Sequence, residues 1–223
     1  MTAAPDDIFA QARTAFAAAG HTIENVRRDF PEWHRGRPHY ALWALDVDSA
    51  PLRAAMAAAG THLDGLLLDD YRRQPHVTLA LCGFPTNRPE HPDDFGPDAL
   101  AAQLAALDAC GLQAFELQIG RLASFTSAPF LAVHDVEGGI ARLRQALGGE
   151  AHAAHGPYTP HVTVGLYSGA WPTAEVLPRL DGFDAGPPLR LRIDHLSLMR
   201  YAAPDIGGPL ETLGRFRFGH GYG

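Results

Sequence analysis

Two segments of the chain, Gln74-Pro-His-Val-Thr-Leu-Ala-Leu81 and Thr159-Pro-His-Val-Thr-Val-Gly-Leu166, repeat one pattern at widely separated places. In an extended strand successive side chains alternate between the two faces. His76, Thr78 and Ala80 therefore share one face, and Val77, Leu79 and Leu81 the other. In the second copy His161, Thr163 and Gly165 oppose Val162, Val164 and Leu166. Each strand thus offers an aliphatic stripe to a core. Its other face carries an imidazole, a hydroxyl and then a small residue that leaves room for a ligand. One His-x-Thr would carry little weight in a chain with 12 histidines. Two copies with matched flanks and parity call for a fold in which two similar strands serve one place.

The rest of the chain supplies such a fold. Asp6 or Asp7 caps a helix with Ile8, Phe9, Ala12 and Phe16 on one side and Gly20 as its stop. Arg27 to Pro38 reads as a linker. Tyr40 to Val47 reads as a strand, Ser49 to Gly60 as a helix, and Leu66 to Asp70 as a weaker extended segment. The first motif strand runs from Pro75 to Gly83. After a proline-rich loop, a helix runs from Asp98 to Gly111, followed by strands at Phe115–Ile119 and Pro129–His134 and a helix from Ile140 to Gly148. The second motif strand spans Pro160 to Tyr167. Leu189 to Tyr201 reads as one strand with a bulge near Asp194-His195, where the apolar parity switches, and Leu213 to Phe218 as the last. The order implies an α+β domain of two comparable lobes over residues 38–223, preceded by a helical extension and linker over residues 1–37.

Composition removes several chemistries. All 18 basic residues are arginine. Without lysine there is no Schiff base, no lysyl-adenylate and no phosphate-binding loop of the type that needs lysine. Only Cys82 and Cys110 occur, so neither a disulfide framework nor a zinc knuckle is indicated. No apolar run reaches the roughly 20 residues of a membrane span, and the N-terminus lacks a secretory signal, so a cytoplasmic protein is expected. A net charge of −7 argues against an extended nucleic-acid grip. It leaves open a local anion pocket lined by Arg72-Arg73, Arg190 and Arg192, Arg200, or Arg215 and Arg217. The pair His152-Ala-Ala-His155 lacks a carboxylate or cysteine to complete a metal site and reads as a loop or helix end.

The duplicated face suits phosphodiester hydrolysis. In-line attack needs a base for water and an acid for the leaving oxygen on opposite sides of phosphorus. Histidine serves either role near neutral pH, so His76 and His161 are the catalytic candidates. Thr78 and Thr163 are placed to donate hydrogen bonds to the phosphate oxygens. The scheme uses no metal and no cofactor.

The two motifs, their separation and the element order resemble the two-histidine (2H) phosphoesterase superfamily, in its bacterial 2′-5′ RNA ligase-like, or LigT-like, branch. The resemblance covers Pro38 to Phe218, and Tyr158-Thr-Pro160 before the second histidine also fits it. It implies two pseudo-twofold-related antiparallel sheets lining a central cleft, with helices outside. It implies metal-independent hydrolysis of 2′,3′-cyclic phosphates on nucleotides or RNA ends to 2′-phosphates, in RNA processing, by a monomer without an obligate protein partner. It further implies His161 as the base, His76 as the acid and Tyr158 as a substrate contact. Many members carry an arginine shortly after the second motif, where this chain has Gly165-Leu166-Tyr167; Arg200 is the candidate replacement for gripping substrate. A binding module without turnover, or 2′-5′ ligation by reversal of the same step, are the alternative activities.

Overall fold

A computed structural model describes residues 5–148, 158–219 and 221–222. Along the chain run α1 (Pro5–Ala18), α2 (Pro31–His34), β1 (His39–Asp46), α3 (Ala50–His62), β2 (His76–Pro85), β3 (Asp94–Phe95), α4 (Pro97–Cys110), β4 (Phe115–Ser124) and β5 (Pro129–Asp135). Then follow α5 (Gly139–Ala146), β6 (His161–Thr163), α6 (Thr173–Asp181), β7 (Leu189–Ile193), β8 (His195–Ala202), β9 (Glu211–Arg217) and β10 (Gly221–Tyr222). His152 and His155 lie outside the described residues.

Among the described residues the strands form two sheets, ordered β10-β9-β8-β1-β2-β3 and β6-β5-β4-β7. All pairings are antiparallel except the short contact of β2 with β3. The repeat seen in the motifs extends to their surroundings. β1, α3 and β2 form an antiparallel pair joined through a helix, and β5, α5 and β6 form another. In each sheet the motif strand lies beside the strand that precedes it. The fold is α+β, with two related sheets each carrying one motif.

The strand expected over Leu189–Tyr201 is two strands in different sheets. β7 pairs with β4, whereas β8 pairs with β1 and β9. The parity switch at Asp194 marks the crossing from one sheet to the other. The sequence signals no element between Tyr167 and Leu189, yet α6 forms there despite Pro178 within it. Thr173, Val176 and Leu180 are its buried side, a spacing of one helical face. Ser49 precedes α3 but makes no capping hydrogen bond, and the helix continues through Gly60 to His62.

The aliphatic stripes hold only through the residue after each motif. Val77 and Leu79, and Val162 and Val164, are buried as expected. In β2 the register with β1 then shifts, because Thr78 pairs with Ala44 and Ala80 with Trp43, leaving Leu79 as an extra residue. This bulge flips parity. Ala80 joins the core and Leu81 emerges, 49% exposed. In the second copy the strand ends at Thr163, and Gly165 and Tyr167 turn inward.

The segment from α1 to Asn25 is fastened to the second lobe, whereas Trp33 and Arg37 pack on the first, against Tyr40 and Phe84 and against Asp93 and Asp94. α1 packs on β4 and α6, with Phe16 buried against Tyr167 and Arg13 bonded twice to Asp181. Thr22 accepts from the Trp171 backbone and donates to the Gly169 carbonyl. The Asn25 side-chain amide donates to the carbonyls of Ser127 and Tyr167 at 2.8 and 3.0 Å. Asn25→Ala removes both bonds while each carbonyl keeps one backbone donor, and is expected to lower stability by about 2 kcal/mol, read as a fall in melting temperature on the order of 5 °C.

Candidate active site

The two motif histidines are oriented by one device used twice. A ring nitrogen facing a carbonyl must donate, so His76 Nδ1 donates to the Gln74 carbonyl at 2.7 Å, and His161 Nδ1 to that of Thr159 at 2.8 Å. In each case the partner lies two residues upstream, just before the motif proline. The neutral tautomer therefore carries its proton on Nδ1 and leaves Nε2 with a free lone pair. His76 is 7% exposed, and burial together with the nearby Arg73 charge pushes it down to about 4. Asp46 and the Gln74 carbonyl act in the opposite sense. His161 is also lowered by burial. Its ring stands edge-on to Phe125 at 4.9 Å between centroids and beside Phe130 at 5.4 Å. The two imidazoles are near enough for the charge of one to disfavour that of the other.

Thr78 and Thr163 are half-buried at the ends of their motifs. Thr163 lies beside Tyr71, a residue that no sequence motif marks. Tyr71 precedes the motif strand in the segment Leu66–Arg73, which runs antiparallel to the chain after the second motif. Leu68 donates to Leu166, Ser168 to Leu66, and Leu67 bridges Tyr167. This segment walls a cavity of about 610 Å³ with Met56, Gly60, Val164 and Gly165. Gly165 is small for a close approach: a Cβ there would lie 3.0 Å from Leu67 Cδ1.

Arg73 lines this cavity and is close enough to depress His76. Its guanidinium lies 4.2 Å over the Tyr201 ring and donates to the Gly208 carbonyl, with no acidic partner among the described residues. The other candidate arginines are placed differently. Arg72 pairs with Asp70 and Asp205, and Arg190 with Glu116. Arg200 pairs with Glu211 at 2.8 Å. The register explains its position: His76, Asp46 and Ala44 share a face of the first sheet with Ser197, Met199 and Tyr201, so Arg200 points to the opposite face. It does not line the cavity.

Tyr158, expected as a substrate contact, has its hydroxyl engaged within the protein. Its hydroxyl donates to the Thr78 carbonyl at 2.7 Å, and Arg144 covers its ring at 3.6 Å. Tyr167 is fully buried and bonded to Ser124, and Phe84 is 1% exposed. Among the described residues no group of three or more metal-ligating side chains occurs, and no helix is long and apolar enough to cross a membrane.

Comparison with known proteins agrees with this architecture. No curated protein matches the sequence. Among solved structures, E. coli LigT complexed with 3′-AMP is similar over 83% of this chain and 100% of its own, at 15% identity and a TM-score of 0.55. TT0787 of Thermus thermophilus covers 80% of this chain and 97% of its own, at 20% identity and a TM-score of 0.50. ATU0111 of Agrobacterium tumefaciens, a conserved protein of unknown function, covers 90% and 97% at 15% identity and a TM-score of 0.52. These likenesses show the fold. The family model for the 2′-5′ RNA ligase superfamily matches residues 63–205, which include both motifs. The chain belongs to the 2′-5′ RNA ligase superfamily and shares the fold of LigT.

Proposed function

We propose that the protein hydrolyses 2′,3′-cyclic phosphates of nucleotides or RNA ends to 2′-phosphates, without a metal or cofactor. The observation that carries this reading is the pair of motif histidines, His76 buried and His161 half-buried, each locked by an upstream carbonyl so that Nε2 is free for proton transfer. One histidine takes a proton from water as the water oxygen bonds to phosphorus. The other gives a proton to the 3′ oxygen as its bond to phosphorus breaks. Thr78, Thr163 and Arg73 stabilise the charge that builds on the phosphoryl oxygens. A cavity of about 610 Å³, lined by Tyr71, Arg73 and by Val164 and Gly165 just after the second motif, is of the size that holds a nucleoside. A cytoplasmic, monomeric enzyme fits this role.

The test is direct. The full chain, treated exhaustively with EDTA, is incubated with each of the four 2′,3′-cyclic mononucleotides and the products are separated. Turnover to 2′-phosphates is expected, and the same rate before and after chelation. Bound but unconverted substrate would identify a binding module instead. Strict dependence on an added divalent cation would replace two-histidine chemistry with a metal-assisted route.

The pH profile follows from the depressed histidines. One must be neutral and the other protonated, which makes the profile bell-shaped. In the free enzyme burial disfavours both cationic forms, so the alkaline limb of kcat/KM is expected below the ordinary histidine value of about 6.5. A bound phosphate anion favours imidazolium, so the alkaline limb of kcat is expected at higher pH than that of kcat/KM. Coincident limbs would show that substrate charge does not reach the acid.

A further inference from the structure

The bulge in β2 has a second effect besides the parity flip. Where one residue is extra, consecutive backbone groups can face the same side of a strand. Thr78 and Leu79 are consecutive, and both carbonyls are taken by side chains of the second lobe. Tyr158 donates to the Thr78 carbonyl at 2.7 Å, and Arg144 Nη1 donates to the Leu79 carbonyl at 2.5 Å. This edge of β2 has no strand beside it among the described residues, because β3 pairs only with Phe84 and Pro85. The two donors also hold each other, since the Arg144 guanidinium lies 3.6 Å over the Tyr158 ring.

The ends of this strut are significant. One is the carbonyl of the first motif's threonine. The other is the residue three before His161, in the turn whose Thr159 carbonyl orients that histidine. Pro160 lies between them and limits the backbone freedom of the connection. Arg144 adds an anchor from α5, which packs on both β2 and β5. The contact therefore ties one motif directly to the other.

We propose that Tyr158 and Arg144 are positioning residues that set the separation of the two His-Thr pairs, and that Tyr158 acts through Thr78 rather than by touching substrate. This rests on the two-histidine reading for its consequence in catalysis, although the placement of the rings can be measured without turnover. Both partners must stand on opposite flanks of one phosphorus atom, and a misplacement on the scale of 1 Å can cost up to roughly 10²-fold.

Tyr158→Phe keeps the ring for Arg144 and deletes only the hydroxyl; Arg144→Gln keeps a donor for Leu79 and deletes the stacking cation. Each is expected to lower kcat on 2′,3′-cyclic AMP roughly tenfold with KM within about twofold of wild type. Asn25→Ala is the comparator, destabilised outside the strut where Asn25 meets Ser127 and Tyr167, and should keep most of its kcat when assayed well below its melting temperature. The second readout is the NMR titration of His76 and His161 in the full chain. In both strut variants the mutual influence of the rings should change, moving at least one titration by several tenths of a pH unit. Arg144→Lys, which restores a cation and a donor, should recover part of the lost rate. Wild-type kcat in both variants, or a loss matching that of Asn25→Ala, would overturn the proposal. Should the wild type convert no cyclic phosphate, the functional reading fails by itself. Unchanged histidine titrations in both variants would then overturn the strut separately, and displaced ones would support it.

Discussion

His76→Ala and His161→Ala are each expected to lower kcat on 2′,3′-cyclic nucleotides by roughly 10²–10⁴-fold, the range for loss of a positioned acid or base. KM should change little, because neither ring is a main source of ground-state binding. Removing both should cost much less than the product of the single losses, since an acid without its base no longer acts in a concerted step. Stopped or discontinuous assays on purified variants decide the matter, with melting temperatures to confirm that each variant folds. Full activity in either variant would end the two-histidine mechanism.

The same variants separate the two roles. Resemblance implies His76 as the acid, yet burial and Arg73 favour the neutral form of His76. Acid duty at His76 therefore requires the substrate's phosphate to stabilise the imidazolium. A nitrophenyl phosphodiester has a leaving oxygen that needs little protonation, so His76→Ala should be partly rescued on it while His161→Ala stays inactive. Rescue of His161→Ala alone would exchange the assignments.

The second large effect is expected at Arg73. It is the arginine that lines the cavity and influences His76. A charge-assisted hydrogen bond contributes about 1.5–3 kcal/mol, so Arg73→Ala should lower kcat/KM by roughly 10–100-fold. The loss should shrink at high salt less than for an exposed ion, because Arg73 is half-buried. With that cation gone, His76 should titrate at higher pH than in wild type, since Arg73 opposes its protonation. Arg200→Ala provides the contrast: its ion pair with Glu211 lies on the far face, and its activity should stay within about twofold of wild type. A larger loss at Arg200 than at Arg73 would mean that substrate is gripped elsewhere.

Much of this site was legible because strand parity and a repeated motif depend on neighbours in sequence. The pairing of His76 with Thr78 and of His161 with Thr163 follows from alternation alone. What escaped depends on contacts distant along the chain. The bulge at Leu79 is fixed by its register with Trp43 and Ala44, which a one-strand reading cannot supply. The arginine groups look equivalent as composition, and Arg73 is separated from Arg200 only by which sheet face each occupies. Tyr158 sits two residues before a motif proline in sequence but gives its hydroxyl hydrogen bond to the other motif. For α6 the internal Pro178 and the flanking Pro172 and Gly182 mask a clear buried face at Thr173, Val176 and Leu180. The helix persists because tertiary burial outweighs a local penalty.

The crossing at Asp194 bears on how the protein is made. The second sheet draws on β4, β5, β6 and β7, all complete once Ile193 has left the ribosome. The first sheet cannot close then, because β1 waits for β8, which pairs with six of its residues from the C-terminal end of the chain. Until that strand arrives, the nascent first motif has β2 against β1 and an open apolar edge on the other side. Late closure of a long loop slows folding and leaves such an edge available to the wrong partners. A chain stopped at Ile193 should consequently assemble its second lobe and fail at its first, so aggregation during synthesis should track β8 rather than either histidine.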